Sequence, residues 1–218
     1  MTKEKAFCCF SGGKDSILSL YRAQKEGINV SYLVNMMSED GRHSRSHGIR
    51  SKCLKKQAMS VGIPLLQEKT TWQDYESKFK KLISGLNEKG ISTGIFGDID
   101  LQAHRDWVER VCGEAGVKAV LPLWGGERWE LLTEFMDSGF KAVICTVRSE
   151  LLGEKYLGRI IDRSFIEEIE GMEDIDICGE NGEYHSFVYD GPLFKEIIRY
   201  TLGDKILKEN VYFQEINV

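Results

Sequence analysis

Ser11-Gly12-Gly13-Lys14-Asp15-Ser16 packs two hydroxyls, two glycines, a cation and a carboxylate into consecutive positions, directly after the apolar run Ala6-Phe7-Cys8-Cys9-Phe10. A strand that meets glycines and then opens a helix presents outward-facing amides, because the first N–H groups of a helix have no internal partner. Such amides hold phosphate. Gly12 and Gly13 let the backbone approach a polyphosphate, Ser11 and Ser16 offer hydroxyl donors, and Lys14 adds a mobile cation. A helix dipole contributes only about 0.3–1 kcal/mol per exposed anion, whereas micromolar affinity needs roughly 8 kcal/mol. Several donors and a Mg²⁺ must therefore act together, with Asp15 as the metal partner. A second cluster lies far along the chain: the turn Gly179-Glu180-Asn181-Gly182-Glu183 gathers two carboxylates and leads into Tyr184-His185-Ser186. Acid, base and hydroxyl at that density suit a polar substrate pocket. A hairpin with solvated acids has the same composition, and composition alone favours it.

Spacing decides which phosphate chemistry the first cluster serves. A Walker loop aligned on Gly13-Lys14 has Cys8 in place of its first glycine and Asp15 in place of its hydroxyl. A dinucleotide fingerprint fails on Gly12-Gly13-Lys14-Asp15-Ser16-Ile17. What remains resembles the SGGxDS signature of the PP-loop ATP pyrophosphatases, matched in full. That resemblance implies cleavage of ATP between its α and β phosphates to give AMP and pyrophosphate.

The elements that must position these groups read as alternating strands and helices. Ile17, Leu18, Leu20, Tyr21 and Ala23 recur with helical spacing up to Gly27, and residues 30–37 form a near-continuous apolar strand. Residues 38–50 are polar and aperiodic, a loop that carries the basic patch from Arg42 to Lys52. A helix over 52–61, a strand over 64–70 and a capping box at Thr71-Trp72-Gln73-Asp74 follow. Trp72, Tyr75, Phe79, Leu82, Ile83 and Leu86 then make one apolar helix face, read as core. A strand over 94–99, a helix over 101–115 and a strand over 119–124 complete an α/β doubly wound five-stranded parallel sheet. Ligands bind such sheets at the carboxyl ends of the strands, which gathers Ser11 to Ser16, Met36 to Arg50, Gly97 to His104 with Asp98 among them, and Leu123 to Arg128 into one site. Asp100 in the same stretch also suits a helix N-cap.

Beyond Gly125-Gly126 the pattern loosens into a helix over 129–137, a buried strand over 141–147, a helix over 164–170 and, from Asp176, turns and short strands. The expected division is a nucleotide-binding domain over 1–125 and a smaller mixed α+β substrate domain over 126–218. Hydrophobic residues at 42%, charged residues at 29% and no apolar run near a membrane span's length fit a globular, cytoplasmic chain. A net charge of −5 argues against broad nucleic-acid binding. The six cysteines form no Cys-x-x-Cys pair, so neither zinc nor a redox pair is indicated.

The segment from Cys178 to Phe194, with Gly97-Asp98-Ile99, Pro122-Leu123-Trp124 and Leu157-Gly158-Arg159, is similar to the diphthine-ammonia ligase (diphthamide synthetase) branch of that family over nearly the whole chain. The resemblance favours the pocket over the solvated hairpin. It implies an adenine nucleotide alpha hydrolase-like, Rossmann-like fold and a ligase that adenylates a carboxylate, then amidates it with ammonia. Ser11 to Ser16 would bind the polyphosphate and Mg²⁺, and Lys14 would stabilise charge on the leaving pyrophosphate. Glu180, Glu183 and His185 would orient the acceptor or handle the ammonium proton. The implied partners are ATP, ammonia and a carboxylate acceptor such as diphthine on elongation factor 2, with no membrane and with homo-oligomer formation open. Gly97-Asp98-Ile99-Asp100 stands where these ligases more often carry Gly-Ala-Ile followed by Tyr-Gln. Two other readings are tRNA thiolation, which would want paired catalytic cysteines, and a non-catalytic nucleotide-binding regulator.

Overall fold

The structure is a computed structural model that describes residues 4–218. Five parallel strands, β1 (Lys5–Cys9), β2 (Asn29–Met37), β3 (Leu65–Lys69), β4 (Thr93–Ile95) and β5 (Lys118–Val120), form one sheet in the order β3-β2-β1-β4-β5. The crossovers are α1 (Lys14–Lys25), α2 (Ser51–Val61), α3 (Tyr75–Asn87) and α4 (Gln102–Glu114). The order reverses direction between β1 and β4, and a crevice opens at such a switch point. The doubly wound sheet expected from the alternation is present.

Two expectations along this sheet need adjustment. The fourth and fifth strands are three residues each, shorter than expected. The ladder between them ends where Phe96 N donates to Val120 O at 3.0 Å, and Pro122, two residues on, has no N–H with which to extend it. Trp72 is 67% exposed, outside the core face expected for it, because the chain over 72–74 is still a turn when Trp72 passes. The capping box itself forms: Thr71 N donates to Asp74 Oδ1 at 2.6 Å and Asp74 N to Thr71 Oγ1 at 3.2 Å. Phe79, Ile83 and Leu86 are buried as the periodicity requires.

After α5 (Arg128–Asp137) the chain builds a second sheet from β6 (Lys141–Arg148), β7 (Tyr184–Asp190), β8 (Thr201–Lys208) and β9 (Val211–Asn217), with α6 (Arg163–Glu170) between the first two. This sheet is antiparallel, in the order β7-β6-β9-β8. Its strands run seven or eight residues where short strands and turns were expected. One buried apolar cluster extends from Cys8, Ile17 and Leu54 through Leu131 and Phe135 to Val143, Phe187 and Ile216, so the two sheets share a core. A second cluster, with Phe7, Phe79, Phe96 and Val111, fills the opposite face under α3 and α4. Among the described residues, no helix is long and apolar enough to cross a membrane.

Candidate active site

Phe10 N still donates to Val34 O at 2.8 Å, so the chain leaves the sheet at Ser11. Gly12 then takes φ +81°, and a Cβ there would stand 2.4 Å from Gln57 Oε1 and 2.6 Å from Leu54. Only glycine fits both the dihedral and the space. The Gly12 carbonyl accepts from Gln57 Nε2 at 2.8 Å and from Val188 N at 3.1 Å, which pins the loop from α2 on one side and β7 on the other. Within the loop Ser11 Oγ donates to Ser16 Oγ at 3.2 Å, and Ser16 Oγ donates to Gly13 O at 3.0 Å. The Lys14 amide, first of the helix, donates to Ser186 Oγ on β7 at 3.1 Å. Gly97 lies against the same turn. A Cβ on it would meet Asp15 C at 3.0 Å and Ser16 N at 3.1 Å, so its lack of a side chain lets the chain leaving β4 touch the start of α1.

The loop opens onto a cavity of about 320 Å³ lined by Ser11, Lys14, Asp15, Ser16, Met36, Gly97 and Asp98 on the parallel-sheet side, and by Glu180 and His185 on the other. Lys14 is buried, its ammonium donating to both Asp15 carboxylate oxygens at 2.9 and 2.8 Å and to the Cys178 carbonyl. Burial is the largest single influence and opposes that charge, but the Asp15 carboxylate and its hydrogen bond, together with Tyr184 and Cys178, outweigh it and hold Lys14 above the ordinary lysine value. Burial also raises Asp98, partly offset by His104, whose Nδ1 lies 3.1 Å from it. Glu180 is pushed up to about 7, mainly by burial and then by the Asp15 charge. The cavity thus holds one strongly retained cation among three acids, two of them reluctant to ionise.

Glu183 does not join the cavity. It is fully buried, and its carboxylate accepts from Asp176 N and Asn181 N, both at 3.0 Å, and from Asn181 Nδ2 at 3.3 Å. Those donors make it the staple of the turn that presents Glu180. His185 does line the cavity, stacked on His47 with ring centroids 4.1 Å apart. Burial, then the Lys14 charge, lowers His185 to about 4, so its ring is neutral near pH 7.

Three residues that the sequence reading did not single out shape the site. Gln57 donates to Gly12 O and, at 2.7 Å, to Val188 O, joining loop and second sheet through one amide. Arg128, first in α5, meets Asp100 at 2.7 Å and Asp176 at 2.6 Å; Asp176 in turn accepts from Cys178 N at 2.8 Å. This chain ties the acidic turn to the parallel sheet. His47 comes from the loop after β2. A polar residue inside the second helix's apolar stripe was the one signal that pointed to Gln57. Arg128 and His47 fell within the segments gathered at the carboxyl ends of the strands, but nothing singled them out there, since a lone arginine or histidine beside a loop is commonly solvated.

The family model described as Diphthamide synthase N-terminal domain matches residues 4–119, and that described as Diphthamide synthase C-terminal domain matches residues 127–217. Among curated relatives, the diphthine-ammonia ligase of Schizosaccharomyces pombe is 29% identical over 94% of this chain, which spans only 37% of that longer protein. Those of Danio rerio and Homo sapiens are 26% and 24% identical, each over 86% of this chain and over 83% and 79% of their own lengths. A solved structure titled as a predicted subunit of a tRNA methyltransferase from Methanocaldococcus jannaschii aligns over 89% of this chain and 100% of its own, with a TM-score of 0.45 and 16% identity. With its two domain models matched along nearly its full length, the chain belongs to the diphthamide synthase family.

Proposed function

We propose that this protein is an ATP-dependent amide-forming ligase acting in diphthamide synthesis. A carboxylate oxygen of the acceptor attacks the α phosphorus of ATP, the bond from that phosphorus to the bridging oxygen breaks, and pyrophosphate leaves. Ammonia then attacks the acyl carbon through its lone pair, the acyl–oxygen bond breaks, AMP leaves, and the nitrogen gives up a proton. A carboxylate resists amines until its oxygen is made a leaving group, so adenylation must come first. The observation that carries this reading is the apposition, across one cavity, of the Ser11–Ser16 loop and Glu180, a carboxyl that burial pushes up to about 7.

The chain's own residues divide the work. Ser11 to Ser16 hold the polyphosphate with backbone amides and hydroxyls, Met36, Gly97 and Asp98 line the nucleotide end, and Lys14 faces charge growing on the pyrophosphate. Glu180 is the best-matched proton acceptor, because an acid–base group works best with a pKa near the operating pH. His185, at about 4, is a weak base in the empty site and serves better as a hydrogen-bonding wall. Glu183 positions the turn. Residues 1–125 would bind the nucleotide and 126–218 the acceptor, diphthine on elongation factor 2.

The residues fit a Mg²⁺: Asp15 and Asp98 face one cavity, and the Asp15 charge adds to the burial that raises Asp98. No ready group of three metal-ligating side chains occurs among the described residues, so polyphosphate oxygens and water would complete the shell. Bound there, Mg²⁺ neutralises polyphosphate charge. The test is incubation with ATP labelled at the α phosphate, Mg²⁺, ammonium and diphthine-bearing elongation factor 2. Acceptor-dependent AMP with an amide product is expected, and ADP as the sole nucleotide product would overturn the assignment.

A further inference from the structure

His47 reaches the phosphate loop from a segment to which the function above gives no work. Its imidazole edge lies over Gly13: a Cβ on that glycine would stand 3.3 Å from His47 Nδ1 and 3.4 Å from Cε1. The second glycine of the loop therefore makes room for this ring as well as for a ligand. Nδ1 is shut off from solvent and has no hydrogen-bond partner. A buried polar atom left unpaired costs about 1–3 kcal/mol, and His47 lines the cavity, so a ligand seated there would supply the missing partner. The ring stacks on His185, and Thr146 Oγ1 on β6 donates to the His47 carbonyl at 3.3 Å. The imidazole is thus held in place while one of its nitrogens stays unused.

We propose that His47, backed by His185, is a polyphosphate-binding residue: a phosphoryl oxygen seated on the loop accepts from His47 Nδ1–H, and binding draws a proton onto the stacked pair. The inference rests on the polyphosphate site proposed above. The charges that face the pair explain the coupling. With the site empty, His47 meets its own burial, His185 from β7 and the Lys14 ammonium from α1, all of which disfavour an imidazolium. Polyphosphate brings several negative charges and an acceptor for Nδ1, reversing the balance and making the hydrogen bond charge-assisted. By linkage, a group whose pKa rises on binding takes up protons from solution. The protonated pair would then stand beside Lys14 as a further cation facing pyrophosphate.

The test is titration calorimetry of the full chain with inorganic pyrophosphate and Mg²⁺ at pH 7, in two buffers of different ionisation enthalpy. Net proton uptake is expected for the parent protein. His47→Phe keeps a stacked ring but no Nδ1, and should bind pyrophosphate about tenfold more weakly, without uptake. His47→Gln restores an N–H donor and should recover part of the affinity but none of the uptake, which a purely structural role would not produce. Parent-like affinity and uptake in His47→Phe would overturn this inference while leaving the ligase reading intact. Absence of pyrophosphate and ATP binding by the parent protein would overturn both.

Discussion

Glu180 and Glu183 stand three residues apart in one turn and end in opposite electrostatic settings. Glu183 spends its charge on two backbone amides, whereas Glu180 faces a cavity that already contains Asp15 and is pushed up to about 7. If Glu180 takes the ammonium proton, it does so only when ionised. The value of kcat/KM for the acceptor should therefore rise as pH increases through about 7, with free ammonia held constant. Glu180→Gln should remove that limb and cost roughly 10²–10⁴ in kcat/KM; a retained limb would refute the role. Glu183→Gln should instead lower stability by about 1.5–3 kcal/mol, the value of hydrogen bonds to a charged group, read as a lower melting temperature. His185 adds a pH dependence of the opposite origin. Its folded pKa of about 4 lies below the usual 6.5, so the unfolded chain binds the extra proton. Stability should then fall as pH drops from about 6.5 towards 4, by at most ~3 kcal/mol from this group, and His185→Phe should flatten that slope in urea melts. The carboxylate-rich turn was legible in the sequence; which of its acids faced the cavity was not, because that depends on whose amides reach it.

At the scale of elements, the site is a meeting of β1, α1, α2 and β7. From α2, Gln57 joins β7 and the loop between β1 and α1 through two hydrogen bonds from one amide. Gln57→Leu would leave the Val188 carbonyl unpaired and remove one of two donors to Gly12, a cost of about 1–3 kcal/mol. It should raise KM for ATP with far-UV dichroism unchanged, and an unaltered KM would show that the loop holds itself. Gly97→Ala would press a Cβ against backbone rather than a yielding side chain, so α1 must shift and nucleotide affinity should drop in equilibrium binding. The helices of the parallel sheet could be read from their periodicity because each buries one face. The eight residues of β8 could not: seven are exposed, and a strand open on both faces carries no alternation.

For the whole molecule, the apolar cluster shared by the two sheets predicts that they unfold as one cooperative structure. Amides of β1 and β6 should exchange hydrogen with the same limiting free energy, through global unfolding; a clearly lower value for β6 would mean that the second sheet opens on its own. The sequence by itself determined the glycine-rich strand-to-helix loop and the alternating α/β order, since glycine placement, hydroxyl spacing and helical periodicity are local properties of the chain. Tertiary structure alone decided the antiparallel second sheet, the withdrawal of Glu183 into its turn, the arrival of Gln57 at the site, and the contacts that Arg128 and His47 make there. Those outcomes depend on register and on contacts between distant residues, such as the 131 positions that separate Gln57 from Val188. No local pattern encodes them.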